Sequence, residues 1–325
     1  MRLAATLIRS ALACGLVGIV PDGPVDAALH RVPGEFPVLQ DAIDASADGD
    51  TVLVAPGTYT GPGNKDLDFG GIDLVLRAEA GPEETVIDCE ETGIGVTFRN
   101  GETRAAKLEG IAIRNAEPSG DDEGAITCFG AGPTIEGCVI ASSGGSGIYS
   151  LEGAFLLVDA TISGCRGAGI RTVADGVEVI ACTIEDCGRI DDPYGGGLMI
   201  STRGEVSITG CVIDGNAAAT GAGIVCWNTS GTTRIEDCTI TGNRAVTGAG
   251  VAALIRGDVE IVGSSLLENV ASGRGGGVYC GIDGLSIVEC VLAGNEALRG
   301  GALYGSGAAE VRDCRVTGNR SIVDG

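Results

Sequence analysis

The sequence predicts an all-β chain wound as a right-handed, single-stranded parallel β-helix, entered through a short N-terminal capping helix. Three observations carry this. Glycine supplies 56 of 325 residues yet falls at fixed places between short aliphatic runs; the runs recur every 22–29 residues; and each recurrence repeats the same apolar columns. A fixed period of this length is the mark of a solenoid, in which one coil cannot bury its apolar side alone and stacked coils bury it together. Aromatic residues make up only 3% of the chain against 44% hydrophobic, so that shared core must be aliphatic.

Cys138, Ala160, Cys182, Cys211, Cys238, Ser264, Cys290 and Cys314 mark one column, at spacings of 22, 22, 29, 27, 26, 26 and 24 residues. Three positions before them stand Ile135, Leu157, Val179, Ile208, Ile235, Ile261, Ile287 and Val311. Two positions after them stand Ile140, Ile162, Ile184, Ile213, Ile240, Leu266, Leu292 and Val316. Such columns need short strands of period two, and no coil carries a helical pattern. A further strand precedes each of these, with inward residues Ile126, Ile148, Ile170, Leu198, Ile224, Val251, Val278 and Ala302. Glycine stands just before seven of those eight, as expected where a turn needs positive φ or the backbone comes close to another chain segment. Asn216, Asn243, Asn269, Asn295 and Asn319 each follow the cysteine column by five residues. Asparagine tolerates left-handed turns, and its amide can bond the equivalent amide one rung away. Cys165 and Cys187 hold that place in the two rungs before the series.

The N-terminus reads as an export signal. Met1 and Arg2 precede a mostly apolar stretch with an uncharged run over 12–20, and Val25-Asp26-Ala27 places small residues where a leader peptidase inspects them. We therefore expect a signal peptide over 1–27, too short to span a bilayer, and a secreted or cell-envelope protein. Residues 28–50 form an N-terminal segment with the capping helix, where Leu39, Ala42 and Ile43 give one apolar face. The β-helix occupies 51–325, with regular rungs from about residue 124. The chain ends at Gly325 where another glycine-rich turn is due, which predicts either a longer protein or a partner over that end.

Forty-four acidic against 21 basic residues give a net charge of −23. That field repels nucleic acid, anionic lipid and polyanionic sugars. No later segment is long and apolar enough to span a membrane. The single histidine, His30, and the absence of paired CxxC spacings give no zinc site. The acidic turns Asp121-Asp122-Glu123 and Asp191-Asp192 would take Ca²⁺ only weakly, and their rungs lie about 14 Å apart. No cofactor is expected.

The stretch over 48–59 (DGDTVLVAPGTY), that over 76–88 (LRAEAGPEETVID) and the repeated GGG-I-x-C … I-x-x-C-x-I-x-x-N units resemble the pectin-lyase-like superfamily. They are similar in particular to its bacterial right-handed β-helix repeat proteins, with a fainter likeness to the repeats of polymorphic outer-membrane proteins. The resemblance covers nearly the whole mature chain. It implies the fold and leaves the activity open among lyases, hydrolases, epimerases, adhesins and non-catalytic binders. The lyases of this superfamily use an outward Arg or Lys base, and Arg171 is the only basic residue in the first outward column, which reads Thr127, Tyr149, Arg171, Met199, Val225, Ala252, Tyr279, Leu303. The GHG motif of its hydrolases is missing, and Asp192-Pro193-Tyr194 only echoes the DPHE motif of its epimerases.

No catalytic residues converge in the sequence. The outward stripe is instead expected to bind a ligand through Tyr149, Arg171, Trp227 and Tyr279, since aromatic faces stack on sugar rings and an exposed apolar patch marks a binding surface. The expected role is that of an exported, non-catalytic β-helix for surface display, adhesion or carbohydrate contact, with neutral polysaccharide or a cell-surface protein as partner. A polysaccharide lyase or glycoside hydrolase is the alternative. Most cysteines are expected as small buried thiols. Cys165 and Cys187, in equivalent turns one rung apart, are placed to form a disulfide.

Overall fold

A single residue with positive φ makes each of two corners of every regular coil. Gly137, Asp159, Ala181, Gly210, Asp237, Gly263, Glu289 and Asp313, each immediately before the cysteine column, have φ between 52° and 65°. Gly164, Asp186, Gly215, Gly242, Glu268, Gly294 and Gly318, each before the Cys165–Asn319 column, have φ between 52° and 68°. One left-handed residue between two extended segments bends the strand sharply. It costs a non-glycine residue about 1–2 kcal/mol, which is why Gly and Asp fill most of these corners.

The corners divide the coil into parallel sheets of 12, 11 and 10 strands, joined in the later coils by a fourth sheet of 5. The computed structural model describes residues 27–120, 122–227 and 230–323, and in it these sheets close a solenoid of about 11 turns. The expected signal peptide, apart from Ala27, lies outside the described residues. Each strand pairs with the strand one coil on, so that Ile135 faces Leu157 and Leu157 faces Val179. The three main sheets keep register throughout, and only the five-stranded sheet shifts, after Ala245 and Ala271. The inward columns from Ile135 to Ile287 and from Ile140 to Leu292 are buried. Each such side chain contributes about 1.5–3 kcal/mol against the exposed state.

Residues 28–50 supply a strand as well as the helix. Leu29–Val32 pairs with Thr51–Val54, and the helix Leu39–Asp44 buries Leu39, Ala42 and Ile43 over the end of the core. At the other end Val311 and Val316 keep their column positions but are 43% and 55% exposed, because no described coil lies over them.

One expectation about the glycine-led strand is corrected and another is narrowed. In the last coil Val278 pairs with Leu303 and Tyr279 with Tyr304. Leu303 is therefore the inward residue and Ala302 takes the place of the preceding glycine. Of the two reasons expected for that glycine, close backbone approach is the one found. At Gly223, Gly250 and Gly277 a Cβ would sit 2.4–2.5 Å from a carbonyl oxygen of the next coil, so close backbone approach excludes a side chain. Positive φ belongs to the glycine two places earlier, at Gly221, Gly248 and Gly275.

The interior corners are closed by side chains that replace missing backbone partners. The Asn243 backbone N–H and side-chain amide both donate to Asn269 Oδ1, at 3.1 and 3.0 Å, while Asn269 Nδ2 donates to the Ile240 carbonyl at 2.9 Å. The ladder repeats from Asn216 to Asn319. In the other column the N–H groups of Cys182 and Cys211 donate to the thiol one rung on, both at 3.4 Å, and that of Cys238 donates to Ser264 Oγ at 3.0 Å. Serine thus substitutes for cysteine in this column by filling the same acceptor role.

Asn269→Ala would strand two buried donors and the Ile240 carbonyl, each worth about 1–3 kcal/mol. Thermal unfolding should show a fall of about 5 °C or more. Asn319→Ala, at the half-exposed end of the ladder, should cost less than half as much.

Candidate functional site

Coil length decides where the surface is indented. Between the second and third sides of successive coils the chain runs through a long loop (115–123), two short turns (142–145 and 164–169) and a second long loop (186–197). From the following coil onward the fourth sheet begins with Ala217–Thr220. Two short turns between long neighbours leave a notch two coils, or about 10 Å, wide. Its volume is about 970 Å³. One wall is the 115–123 loop, of which Asp121 lies outside the described residues, and the other is the 186–197 loop.

The floor and walls alternate guanidinium and carboxylate groups. Arg171 rises from the floor strand, 3.4 Å from the Asp122 carboxylate and 5.4 Å above the Tyr149 ring. Arg189 Nε donates to Asp191 at 3.2 Å, and the Arg189 N–H donates to Asp192 Oδ2 at 2.9 Å. Arg166 and Glu117 complete the lining. Burial raises the Asp192 carboxyl above its usual range, with repulsion from Asp191 adding to it and the Arg189 N–H opposing it. Burial likewise raises the Tyr149 phenol, with Asp122 adding to it.

The four residues expected to bind a ligand are not one surface. Arg171 lines the notch, but Tyr149 does not: it is 3% exposed, wedged beneath Arg171 and against Phe129 at 5.8 Å. It orients the guanidinium and offers no open ring face. Trp227 packs on Tyr194 from the second wall, with ring centroids 4.4 Å apart. Tyr279 lies away from the notch, stacked on Tyr304 at 5.9 Å. The expected apolar stripe is partly covered by the chain itself. A Cβ on Gly221 or Gly248 would meet the Val225 or Ala252 side chain at 2.4 or 2.7 Å, so these turns fold over the column and bury both residues.

Sequence reasoning missed Arg166, Arg189 and Glu117, and placed the two acidic turns about 14 Å apart without the notch between them. The structure makes those turns opposite walls of one notch. The signal lay in the spacings of 22, 22 and 29, which place two short coils before a long one.

Among the described residues no three His, Cys, Asp or Glu side chains form a metal-binding group, and no helix is long and apolar enough to cross a membrane. Burial pushes the Cys138 and Cys226 thiols up to about 12 and Cys290 up to about 11, so they are neutral at physiological pH and poor nucleophiles. Cys165 and Cys187 are buried free thiols in contact with one another, and that contact together with burial raises Cys187.

The family model described as the right handed beta helix region matches residues 92–266, more than half of the chain. The protein belongs to this family. The solved structures similar to this right-handed β-helix lie in the pectin-lyase-like superfamily. Pectate lyase Pel9A is 14% identical, with 84% of this chain and 73% of that one covered at a TM-score of 0.50. The A-module of a mannuronan C-5 epimerase from Azotobacter vinelandii is 15% identical over 87% of this chain and 95% of its own, at a TM-score of 0.40. An alginate lyase from Paenibacillus is 16% identical over 86% and 96%, at 0.38. These likenesses establish the fold alone. No curated protein sequence matches the chain significantly.

Cys165 and Cys187 should resist a charged alkylating reagent in the native state and react on unfolding, as mass spectrometry of tryptic peptides would record. A linked Cys165–Cys187 peptide under non-reducing conditions would identify the bridged form instead.

Proposed function

We propose that this β-helix is exported and holds a neutral polysaccharide in the notch without cleaving it. The observation that carries the reading is the notch itself: a cleft two coils wide, lined by guanidinium groups held in place by carboxylates. Arg171 and Arg189 are already paired with Asp122 and Asp191, so their charge is spent within the protein. Glu117, Asp122, Asp191 and Asp192 outnumber Arg166, Arg171 and Arg189 along the lining. In a chain of net charge −23 such a site disfavours polyuronates. Sugar hydroxyls both donate and accept, and a lining that alternates donor and acceptor groups suits them. Tyr194, on the second wall, supplies an aromatic ring at its rim.

A hydrolase or lyase reading has one specific observation in its favour. Asp192, with its carboxyl pushed up by burial, stands beside Arg189 and within the electrostatic reach of Arg166, an arrangement from which a general acid can be built.

Titration calorimetry against neutral glucans, xylans and mannans, with polyuronates in parallel, separates these. Binding of a neutral polymer should appear, and Arg171→Ala should weaken it about tenfold, or roughly 1.4 kcal/mol, with no new reducing ends released. Release of reducing ends that Asp192→Asn abolishes would establish the enzyme. Silence across all the polymers would remove the carbohydrate reading.

A further inference from the structure

Asp50 is a buried carboxylate, 6% exposed, immediately before the strand Thr51–Val54. Two backbone N–H donors bond it, one from each of two segments of chain, and an imidazole lies beside it. Its Oδ2 accepts the Ala47 N–H at 2.8 Å, its Oδ1 accepts the Ala28 N–H at 2.6 Å, and His30 Nε2 lies 3.5 Å from Oδ2. The contact with Ala47 closes a local turn. The contact with Ala28 spans 22 residues and falls where the chain joins the first sheet, since the Ala28 carbonyl accepts the Thr51 N–H at 2.8 Å. Ala28 is also the residue that follows Val25-Asp26-Ala27, the expected leader cleavage site.

We propose that Asp50 is the seat of the α-ammonium group of Ala28, created when the leader is removed. The inference rests on the export reading given above. A leader peptidase of the serine endopeptidase class would hydrolyse the Ala27–Ala28 bond with one water. The water oxygen goes to the new Ala27 carboxylate, and the nitrogen of Ala28 takes up the protons to become an ammonium. No redox partner is required.

Before cleavage, Ala28 offers Asp50 one neutral amide N–H. Afterwards the same atom, in the same place, carries three N–H donors and a formal positive charge against a carboxylate largely withdrawn from water. Charge-assisted hydrogen bonds are shorter and roughly twice as strong as neutral ones, and a buried carboxylate gains most from an opposite charge at contact distance. Processing would then tighten the first strand onto the second, beside the helix that covers this end of the core. A leader left in place would leave that end held by the weaker contact. The site is thus a maturation lock.

The test has two independent parts. First, the full chain is expressed with its leader and the exported protein is weighed intact. A mass beginning at Ala28 supports the inference; an exported protein with any other N-terminus overturns it and leaves export standing, whereas absence of the protein from the exported fraction overturns the export reading itself. Second, mature protein beginning at Ala28, released from a fusion, is compared with the same protein acetylated at Ala28 and with one beginning at Val25. Each is made with Asp50 and with Asp50→Asn. The free Ala28 form should melt about 2 °C or more above the other two, and the gap should close in Asp50→Asn. Equal melting temperatures in the Asp50 background, or a gap that persists in Asp50→Asn, would overturn the lock whatever the mass shows about export.

Discussion

Every part of this molecule depends on one constraint: each coil must hydrogen-bond the next in register along its three main sides while keeping its corners inside a core only one coil thick. Strands satisfy this along their length without help from side chains. Corners do not, because a bend breaks the ladder at the point where the backbone turns inward. The chain solves the problem twice per coil, with one left-handed residue to make the bend and one small polar side chain after it to take over the lost partner. Asn269 and Ser264 do this with an amide and a hydroxyl, and Cys211 does it with a thiol. The cysteines, which in an exported protein invite a disulfide framework, are for the most part members of this set.

The same constraint explains why the surface carries a site at all. Since the inward columns fix the three main sides, coil length varies only in the segments between them. Short connections at 142–145 and 164–169 leave the floor strand uncovered. Longer ones at 115–123 and 186–197 stand above it, and the fourth sheet with its glycine turns covers the same face in later coils. Arg171 is accessible because it stands on the uncovered stretch, whereas Val225 and Ala252, in the same column, are buried under Gly221 and Gly248. Function on such a scaffold is a matter of where the turn is omitted.

That asymmetry also sets what the sequence could disclose. The core was legible nearly to the residue, because an inward column demands an aliphatic side chain in every rung and so repeats. The last coil was read one residue out of register: its glycine run ends in Ala302, and only the pairing of Tyr279 with Tyr304 places Leu303 inward. The site was far less legible. Tyr149, Trp227 and Tyr279 follow the outward period, but nothing in that period says which rungs are roofed. Arg166 and Arg189 stand in irregular turns with no column to mark them. Only the lengths of the turns, which the sequence does contain, tell that the two acidic loops face each other across two short coils.

The central claim, that the notch is the working surface of this β-helix, is tested most directly by amide hydrogen exchange of the protein with and without a neutral polysaccharide. The account predicts added protection confined to peptides covering 115–123, 142–149, 164–171 and 186–199, with the coils beyond residue 258 unchanged. Protection centred on the Tyr279–Tyr304 face, or on the exposed final coil around Val311 and Val316, with the notch unaffected, would contradict it.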